Sequence, residues 1–447
     1  MVRDPGTPRS QAAVARRANP AAKGAPVTDT EDRVPTTPVA RRADPVGFLG
    51  FDPFDPAFKA DPYPHYRRFS ASGPLRRTPS GPWVTASYSV CTQVLRDPRF
   101  GRWARTGGPA PEAEAAKGLN FMMQDPPDHT RLRRLAGKAF TPRAVERMRP
   151  WIEELARDVV EGVSGRVDLL DALARPLATR AIGELLGVPA ADHDRLAAWS
   201  EACIRALDPL PLQPVDLRPR MLEARAGFAG YFRGLIADRR AGAVPAPRAG
   251  GADLPDPLGD LIRARDEEGA LNEDELLATC RLLFVAGHET TIHAIANSTL
   301  ALLRHPDRMA WLKRHPEVLP EAVEELMRFD SPTHLLWRVA LEDMELESTR
   351  ITEGEVVILL VGAANRDPAA FTDPDLLDLT RYGGTVPRHL TFGSGIHFCS
   401  GAALARLEIQ ACLGRLIARD PVLDAGPLDY SPGVAGRGLD RLPVIIG

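Results

Sequence analysis

The run Phe392-Gly393-Ser394-Gly395-Ile396-His397-Phe398-Cys399-Ser400-Gly401 sets one cysteine among residues that can act on a thiol. Glycine lets the backbone turn tightly and point amide hydrogens inward. A helical pattern over 402–419 follows, so Cys399 sits at a helix N-terminus, where the positive dipole end and unpaired N–H groups favour a thiolate. A thiolate cradled by amides is what an axial iron ligand requires. Two other chemistries compete. A lone cysteine is often an inert buried thiol. Cys399 and His397 could also pair as a nucleophile and base, although a spacing of two in an extended loop suits proximity more than hydrogen-bond geometry.

A second constellation lies within the longest helical pattern, 272–305. Asn272 followed by Glu275 forms a capping box, and Pro306 stops the pattern. At about 1.5 Å per residue such a helix spans about 50 Å, enough to cross a whole domain. Its centre, Ala286-Gly287-His288-Glu289-Thr290-Thr291, is poor helix chemistry, because glycine costs about 1 kcal/mol and paired threonines crowd the preceding turn. The weak centre predicts either a functional bulge or a glycine kept small for packing.

Three further groups could support such chemistry. Glu325 and Arg328 stand three apart, as do many chance pairs. His129 and Arg133 stand one helical turn apart in Asp125-Pro126-Pro127-Asp128-His129-Thr130-Arg131-Leu132-Arg133, a spacing equally suited to a solvated surface pair. His334 is the polar member of an otherwise apolar segment, 332–336, and could face a substrate oxygen or another core group.

The elements that must hold these residues are mainly helical. Helices are expected over 142–163, 190–207 and 222–240, with short strands at 83–86, 338–340 and 356–361. Glycine- and proline-rich stretches at 106–118 and 241–257 are expected to be mobile loops rather than domain linkers. Residues 1–44 hold six prolines, with no aromatic residue, leucine or isoleucine, and are expected to form a disordered tail ahead of a single domain spanning 45–447. Arg16-Arg17 has no apolar segment after it that would make an export signal. Across 447 residues, 56 Lys+Arg against 59 Asp+Glu give a net charge of −3, which excludes a global positive field for nucleic acid. No apolar run reaches the length of a membrane helix. The five cysteines are odd in number and scattered, without zinc or disulfide spacing, and point to a reducing cytoplasm.

Taken together, the motifs resemble the cytochrome P450 heme–thiolate monooxygenases of the bacterial, anchor-free type. Phe392, Gly395, His397, Cys399 and Gly401 match the family signature Phe-x-x-Gly-x-His-x-Cys-x-Gly. Ala286-Gly287-x-Glu289-Thr290 matches the oxygen-activation motif, and Glu325-x-x-Arg328 with Arg381 matches the family's structural ion network. The resemblance implies a mainly α fold with small β-sheets and one heme-containing domain. It implies heme b (iron protoporphyrin IX) with Cys399 as metal ligand and a cofactor site of His129, Arg133, Arg338, Phe392, Gly393, His397 and Gly401. Thr290 would then supply a hydrogen bond and Glu289 relay protons as oxygen is activated.

The same resemblance implies a lining from loop 101–123, Phe284, Val285, Ala286, segment 332–336 including Leu335, and Val434-Ala435. Being mostly apolar, these suit a medium-sized hydrophobic substrate such as a natural-product scaffold. Segment 209–214, rich in proline, falls at the family's variable lid and either stiffens the entrance or lengthens a loop. The stretch Glu347-Ser348-Thr349-Arg350-Ile351 is more polar than the family's usual glycine-bearing turn there, a departure confined to a hairpin tip. Expected partners are O2, a ferredoxin and an NAD(P)H-dependent ferredoxin reductase, with neither nucleic acid nor membrane, and the chain is expected to act as a monomer. Arg131, Arg134, Lys138 and Arg406 would form part of a basic docking patch. A peroxide-driven peroxygenase and a non-catalytic scaffold are the competing functions. The presence of Glu289-Thr290 weighs against the first, and that of Cys399 and Thr290 against the second.

Overall fold

Asp44 starts the first helix by accepting the amides of Val46 and Gly47 on its two carboxylate oxygens, with Pro45 at the first helical position. The computed structural model describes residues 43–103, 120–249, 252–424 and 426–447. Nearly all of the expected tail 1–44 and all of the expected loop 106–118 lie outside the described residues.

Helices follow in the order α1 Pro45–Leu49, α2 Pro56–Ala60, α3 Tyr63–Ser70, α4 Tyr88–Arg96, α5 Asp128–Ala136, α6 Pro142–Glu161, α7 Arg175–Leu185 and α8 His193–Arg205. They continue as α9 Leu217–Arg240, α10 Pro257–Asp266, α11 Glu273–Arg304, α12 Pro306–Arg314, α13 Leu319–Phe329, α14 Val361–Ala364 and α15 Ala402–Ala418. The strands are β1 Arg76–Arg77, β2 Trp83–Thr85, β3 Phe100–Gly101, β4 Gly165–Asp168, β5 Arg248–Ala249 and β6 Ala252–Asp253. They resume with β7 Leu336–Ala340, β8 Met344–Leu346, β9 Thr349–Ile351, β10 Val356–Leu359, β11 Val422–Leu423 and β12 Pro443–Ile446. No helix among the described residues is long and apolar enough to cross a membrane.

Most of the helices share one apolar core. α6 packs on α15, α7 crosses α11, and α8 and α9 lie against each other and on α11. A five-stranded sheet, ordered β1-β2-β10-β7-β3, forms a separate side of the fold; β10 runs parallel to β2 and antiparallel to β7. Its pairing of Val357 with Arg338 fixes the arginine on β7.

Three elements differ from the sequence expectation. Helix α8 starts at His193, because residues 190–192 form a 3-10 turn. Helix α9 begins at Leu217, five residues early, since Pro219 falls in the first turn, where its missing N–H has no partner to lose. Part of 241–257, expected as loop alone, pairs as β5 and β6.

The central helix corrects a more consequential expectation. Asn272 and Glu275 close the capping box at 2.9 and 2.8 Å, and all 32 residues of α11 are α-helical, with no bulge at its centre. Gly287 is small because of the crossing with α7: a Cβ there would come 2.7 Å from Cγ1 of Ile182. The π-turn among the described residues lies instead at Leu170–Ala174, which leads into α7 and packs on α11.

The β8–β9 hairpin forms despite lacking glycine. Glu347 and Ser348 both take left-handed backbone angles, φ 49° and 55°, which a two-residue hairpin turn of this twist demands.

Candidate heme–thiolate site

The cysteine loop is held by its own backbone. Gly395 has φ +68°, and a Cβ there would approach the Leu95 carbonyl oxygen of α4 to 2.1 Å, so only glycine fits. Gly393 is also left-handed, with φ +69°. The Phe398 amide donates to the Gly395 carbonyl at 3.1 Å, and the Cys399 amide donates to the Phe392 carbonyl at 2.9 Å. These bonds set Cys399 just ahead of α15, where the Ala405 amide bonds the Gly401 carbonyl at 2.9 Å.

The environment of this thiol is more balanced than a helix N-terminus alone suggests. Cys399 keeps exposed surface, but the protein packed around its sulfur desolvates the thiol and pushes its pKa up, while the Gly401 amide and the charges of Arg133 and Arg406 pull it back. The upward push prevails, so a bound cation at sulfur is what would hold the thiolate form.

Above the loop gathers a cluster of buried and half-buried bases from four separate stretches of chain. His129 on α5 is 2% exposed, and its ring lies 4.4 Å from that of His397. Arg133, one turn on, donates to the Phe398 carbonyl. Arg338 on β7 and Arg102 after β3 are both buried. Burial lowers Arg102 to about 9, helped by the charge of Arg338, and burial likewise lowers Arg338 to about 10. His397 is driven down to about 2 by burial and then by Arg338, His129, Arg102 and Arg133. Against them stands Asp125, whose oxygens accept the Arg102 amide at 3.1 and 2.9 Å. Among the described residues, both ring nitrogens of His129, Nε2 of His397 and Nε of Arg102 meet no well-formed hydrogen-bond partner.

Buried cations in this arrangement call for anions. A heme offers two carboxylates at one edge and an iron that a thiolate can ligate, and the donor set fits it. Arg102 escapes sequence reasoning because it stands alone in a loop. The sequence places it only within the expected lining loop 101–123, whereas in the structure a Cβ on Gly101 would strike Asp125 and Arg102 stacks 4.1 Å over Trp337.

On α11, Ala286 and Thr290 carry exposed surface in the middle of an otherwise buried helix. The Thr290 hydroxyl donates to the Ala286 carbonyl at 3.2 Å. Glu289 is mostly buried, which raises its pKa, yet His288, His293 and Arg175 more than offset this and hold it below the usual carboxylate range. His288 Nε2 lies 3.4 Å from Glu289 Oε1, while its Nδ1 is 2.8 Å from the Phe284 carbonyl, to which it can only donate.

The expected lining residues separate. Leu335 and Val434 share an apolar cluster with Leu212, and the Ala435 carbonyl accepts the amides of His334 and Leu335 at 2.9 and 3.1 Å. Val285 is buried at 7% exposure. Phe284 does not join Ala286: it is fully buried on the opposite side of α11, its ring 6.0 Å from Phe228 and 5.1 Å from His288. His334 turns into the core, where Nδ1 pairs with the Tyr66 hydroxyl at 2.9 Å and burial lowers its pKa to about 3.

Below the site, Glu325, Arg328 and Arg381 meet: Arg328 bonds both Glu325 oxygens at 2.7 and 2.8 Å, and Arg381 Nε lies 3.1 Å from Oε2. Phe392 is covered by the Arg406 guanidinium at 4.5 Å. Of the expected docking residues, Arg406 is bound by Glu324 at 2.5 and 2.8 Å, and Arg131 by Glu275 and Asp128 at 2.5 and 2.8 Å. Arg134 and Lys138 are exposed.

Comparison with known proteins agrees with this geometry. Residues 192–419 match the family model for cytochrome P450. The cytochrome P450 monooxygenase PikC of Streptomyces venezuelae is 40% identical over 414 residues, covering 89% of this chain and 93% of the relative. Vitamin D(3) 25-hydroxylase of Pseudonocardia autotrophica is 37% identical over 412 residues, 89% of this chain and 96% of that one. The tirandamycin C-bound P450 monooxygenase TamI superposes with a TM-score of 0.74 at 34% identity, covering 89% of this chain and 99% of that structure. The chain therefore belongs to the cytochrome P450 family and is a monooxygenase of that family.

Proposed function

We propose that this monooxygenase binds heme b, whose iron Cys399 would ligate and whose carboxylates His129, Arg133, Arg338, His397 and Arg102 would hold. The observation that carries this is the cluster of Arg102, His129 and Arg338, all buried, with half-buried Arg133 and His397 beside one cysteine, matched in charge by two propionates. When bound, the heme supplies the binding and activation of O2.

The chain's residues then have distinct tasks. The Phe392–Cys399 backbone bond, Gly401 and Arg133 set and hold the sulfur. The Thr290 hydroxyl, on a long bond to Ala286, can turn its proton toward a group above the exposed face. Glu289, kept ionised by His288, His293 and Arg175, accepts and passes protons toward Thr290. Ala286, Leu335, Val434 and Ala435 form apolar walls suited to a medium-sized hydrophobic secondary-metabolite scaffold. Electrons come from a ferredoxin and its NAD(P)H-dependent reductase, docking over exposed Arg134 and Lys138. The protein works as a cytoplasmic monomer; its five free, scattered thiols suit a reducing compartment.

The test is the ferrous carbon-monoxide difference spectrum of the purified protein. A red-shifted Soret band, lost in Cys399→Ala, supports the assignment. A protein that retains no heme would move the reading to a non-catalytic scaffold. Product formation with hydrogen peroxide, but not with the ferredoxin pair, would make it a peroxygenase.

A further inference from the structure

The loop that carries Val434 and Ala435 is held by two polar side chains, Asp208 and Lys59, that the proposed chemistry leaves unused. Asp208 lies in the connector between α8 and α9, and its side chain is 2% exposed. One of its oxygens, Oδ1, accepts both the Val434 amide at 2.9 Å and the Ala435 amide at 2.8 Å. The other, Oδ2, faces Arg205 Nη2 at 3.6 Å and forms no hydrogen bond. From the opposite side, Lys59 of α2 donates through Nζ to the Ser431 carbonyl at 3.0 Å and to the Gly433 carbonyl.

The connector is itself tied to this grip. Gln213 folds back to the carbonyls of Ala206 and Asp208 at 3.1 and 2.7 Å, and Leu212 is fully buried in one apolar cluster with Leu335 and Val434. Arg437 closes the far end: its Nε bonds Asp330 at 2.9 Å, and its Nη1 bonds the Lys59 carbonyl at 2.5 Å. A carboxylate taking two successive amides is a charge-assisted clamp on backbone, and removing it would leave two buried donors unsatisfied.

We propose that Asp208 is a positioning residue that fixes the Val434–Ala435 wall and couples it to the α8–α9 connector. A substrate that displaces the connector would thereby move this wall, so Asp208 governs the shape of the pocket without touching substrate. The inference rests on the assignment of Val434 and Ala435 to the substrate lining.

The test uses the heme-loaded protein with three variants. Asp208→Ala removes the clamp. Asp208→Asn keeps an oxygen able to accept both amides. Asp208→Ser, too short to span both, stands in for Ala if that variant does not fold. Amide hydrogen exchange at Val434, Ala435 and Leu212 should quicken at least about tenfold in Asp208→Ala and stay near wild type in Asp208→Asn. The Soret shift should show econazole, which is large enough to reach the wall, binding about tenfold more weakly to Asp208→Ala, while imidazole, which meets only the iron, binds unchanged. Unchanged exchange in Asp208→Ala would overturn the clamp. Equal loss for imidazole and econazole would overturn its role as a local positioning residue. Faster exchange with unaltered econazole binding would leave the clamp standing and remove Val434 and Ala435 from the lining.

Discussion

Arg328 presents Nε and Nη2 to the two oxygens of Glu325, one helical turn earlier on α13, at 2.7 and 2.8 Å, with neither side chain exposed to solvent. The remaining donors of the same guanidinium reach the carbonyls of Asn365, Pro374 and Leu376, and Arg381 adds a second cation to the carboxylate. One acid thus gathers α13, the end of α14 and the loop beyond it. A buried network with every donor satisfied is hard to replace piecemeal, because deleting one member leaves the opposite charge unpaired.

Replacing Glu325 by Gln should therefore lower stability by about 3–5 kcal/mol. The expected outcome is a lower denaturant midpoint and poor heme retention. Equal midpoints for the variant and wild type would show that the network does not support the heme side of the fold.

Thr290 gives a prediction specific to chemistry. Among the described residues its hydroxyl bonds the Ala286 carbonyl of its own helix, so Thr290→Ala should fold normally and keep the carbon-monoxide spectrum. It should nevertheless release reducing equivalents as hydrogen peroxide instead of product. Electron coupling equal to wild type would remove the proton-delivery role assigned to Thr290.

The motifs were legible in the sequence because they are local. The cysteine loop and the capping box at Asn272 each occupy a few consecutive residues, where spacing reports geometry directly, whereas the pairs His129/Arg133 and Glu325/Arg328 became legible only through the family resemblance. What the sequence concealed depends on contacts between distant segments. Gly287 looked like a weak point for a bulge, and only the Ile182 side chain, more than a hundred positions away in the chain, shows it to be a packing glycine. Phe284 looked like lining, but a two-residue step from Ala286 turns it about 200° around the helix, onto Phe228. Arg102 and Asp208 are single charges in loops without a motif, and burial alone makes them informative.

The hairpin between β8 and β9 allows a stabilising change. Glu347 and Ser348 hold left-handed angles that side chains with a Cβ disfavour, whereas Asn-Gly adopts them readily. The double change to Asn-Gly should stabilise the protein by about 1 kcal/mol, read as a rise in denaturant midpoint with the carbon-monoxide spectrum unchanged. A lower midpoint would mean that the Glu347 and Ser348 side chains supply contacts outweighing the backbone strain.

Glu324 makes a pH prediction. Burial opposes its charge, but hydrogen bonds to Arg406 and His389 and their charges lower its pKa to about 2, from an unfolded value of 4.5. A carboxylate with a depressed folded pKa binds fewer protons folded than unfolded, so its stabilisation is full above the unfolded value. It is lost as pH falls from about 4.5 toward about 2. The stability gap between wild type and Glu324→Gln should be widest near neutral pH and close over that acid window. A gap independent of pH would show that packing, not ionisation, carries the effect.

The docking role proposed for Arg134 and Lys138 can be tested apart from everything else in the molecule. Both are exposed, whereas Arg131 and Arg406, expected beside them, are already neutralised by Glu275 with Asp128 and by Glu324. An acidic redox partner would therefore meet positive charge chiefly at the first two. The double change of Arg134 and Lys138 to Glu should raise the KM for ferredoxin about tenfold at low salt, through slower association. The effect should shrink as ionic strength rises, because charges separated by more than about 10 Å are screened near 0.1 M. The carbon-monoxide spectrum and the affinity for substrate should not change, since neither residue takes part in the buried base cluster. Ferredoxin kinetics that ignore the double change at every salt concentration would place the docking surface elsewhere and leave these two residues as ordinary solvated charge.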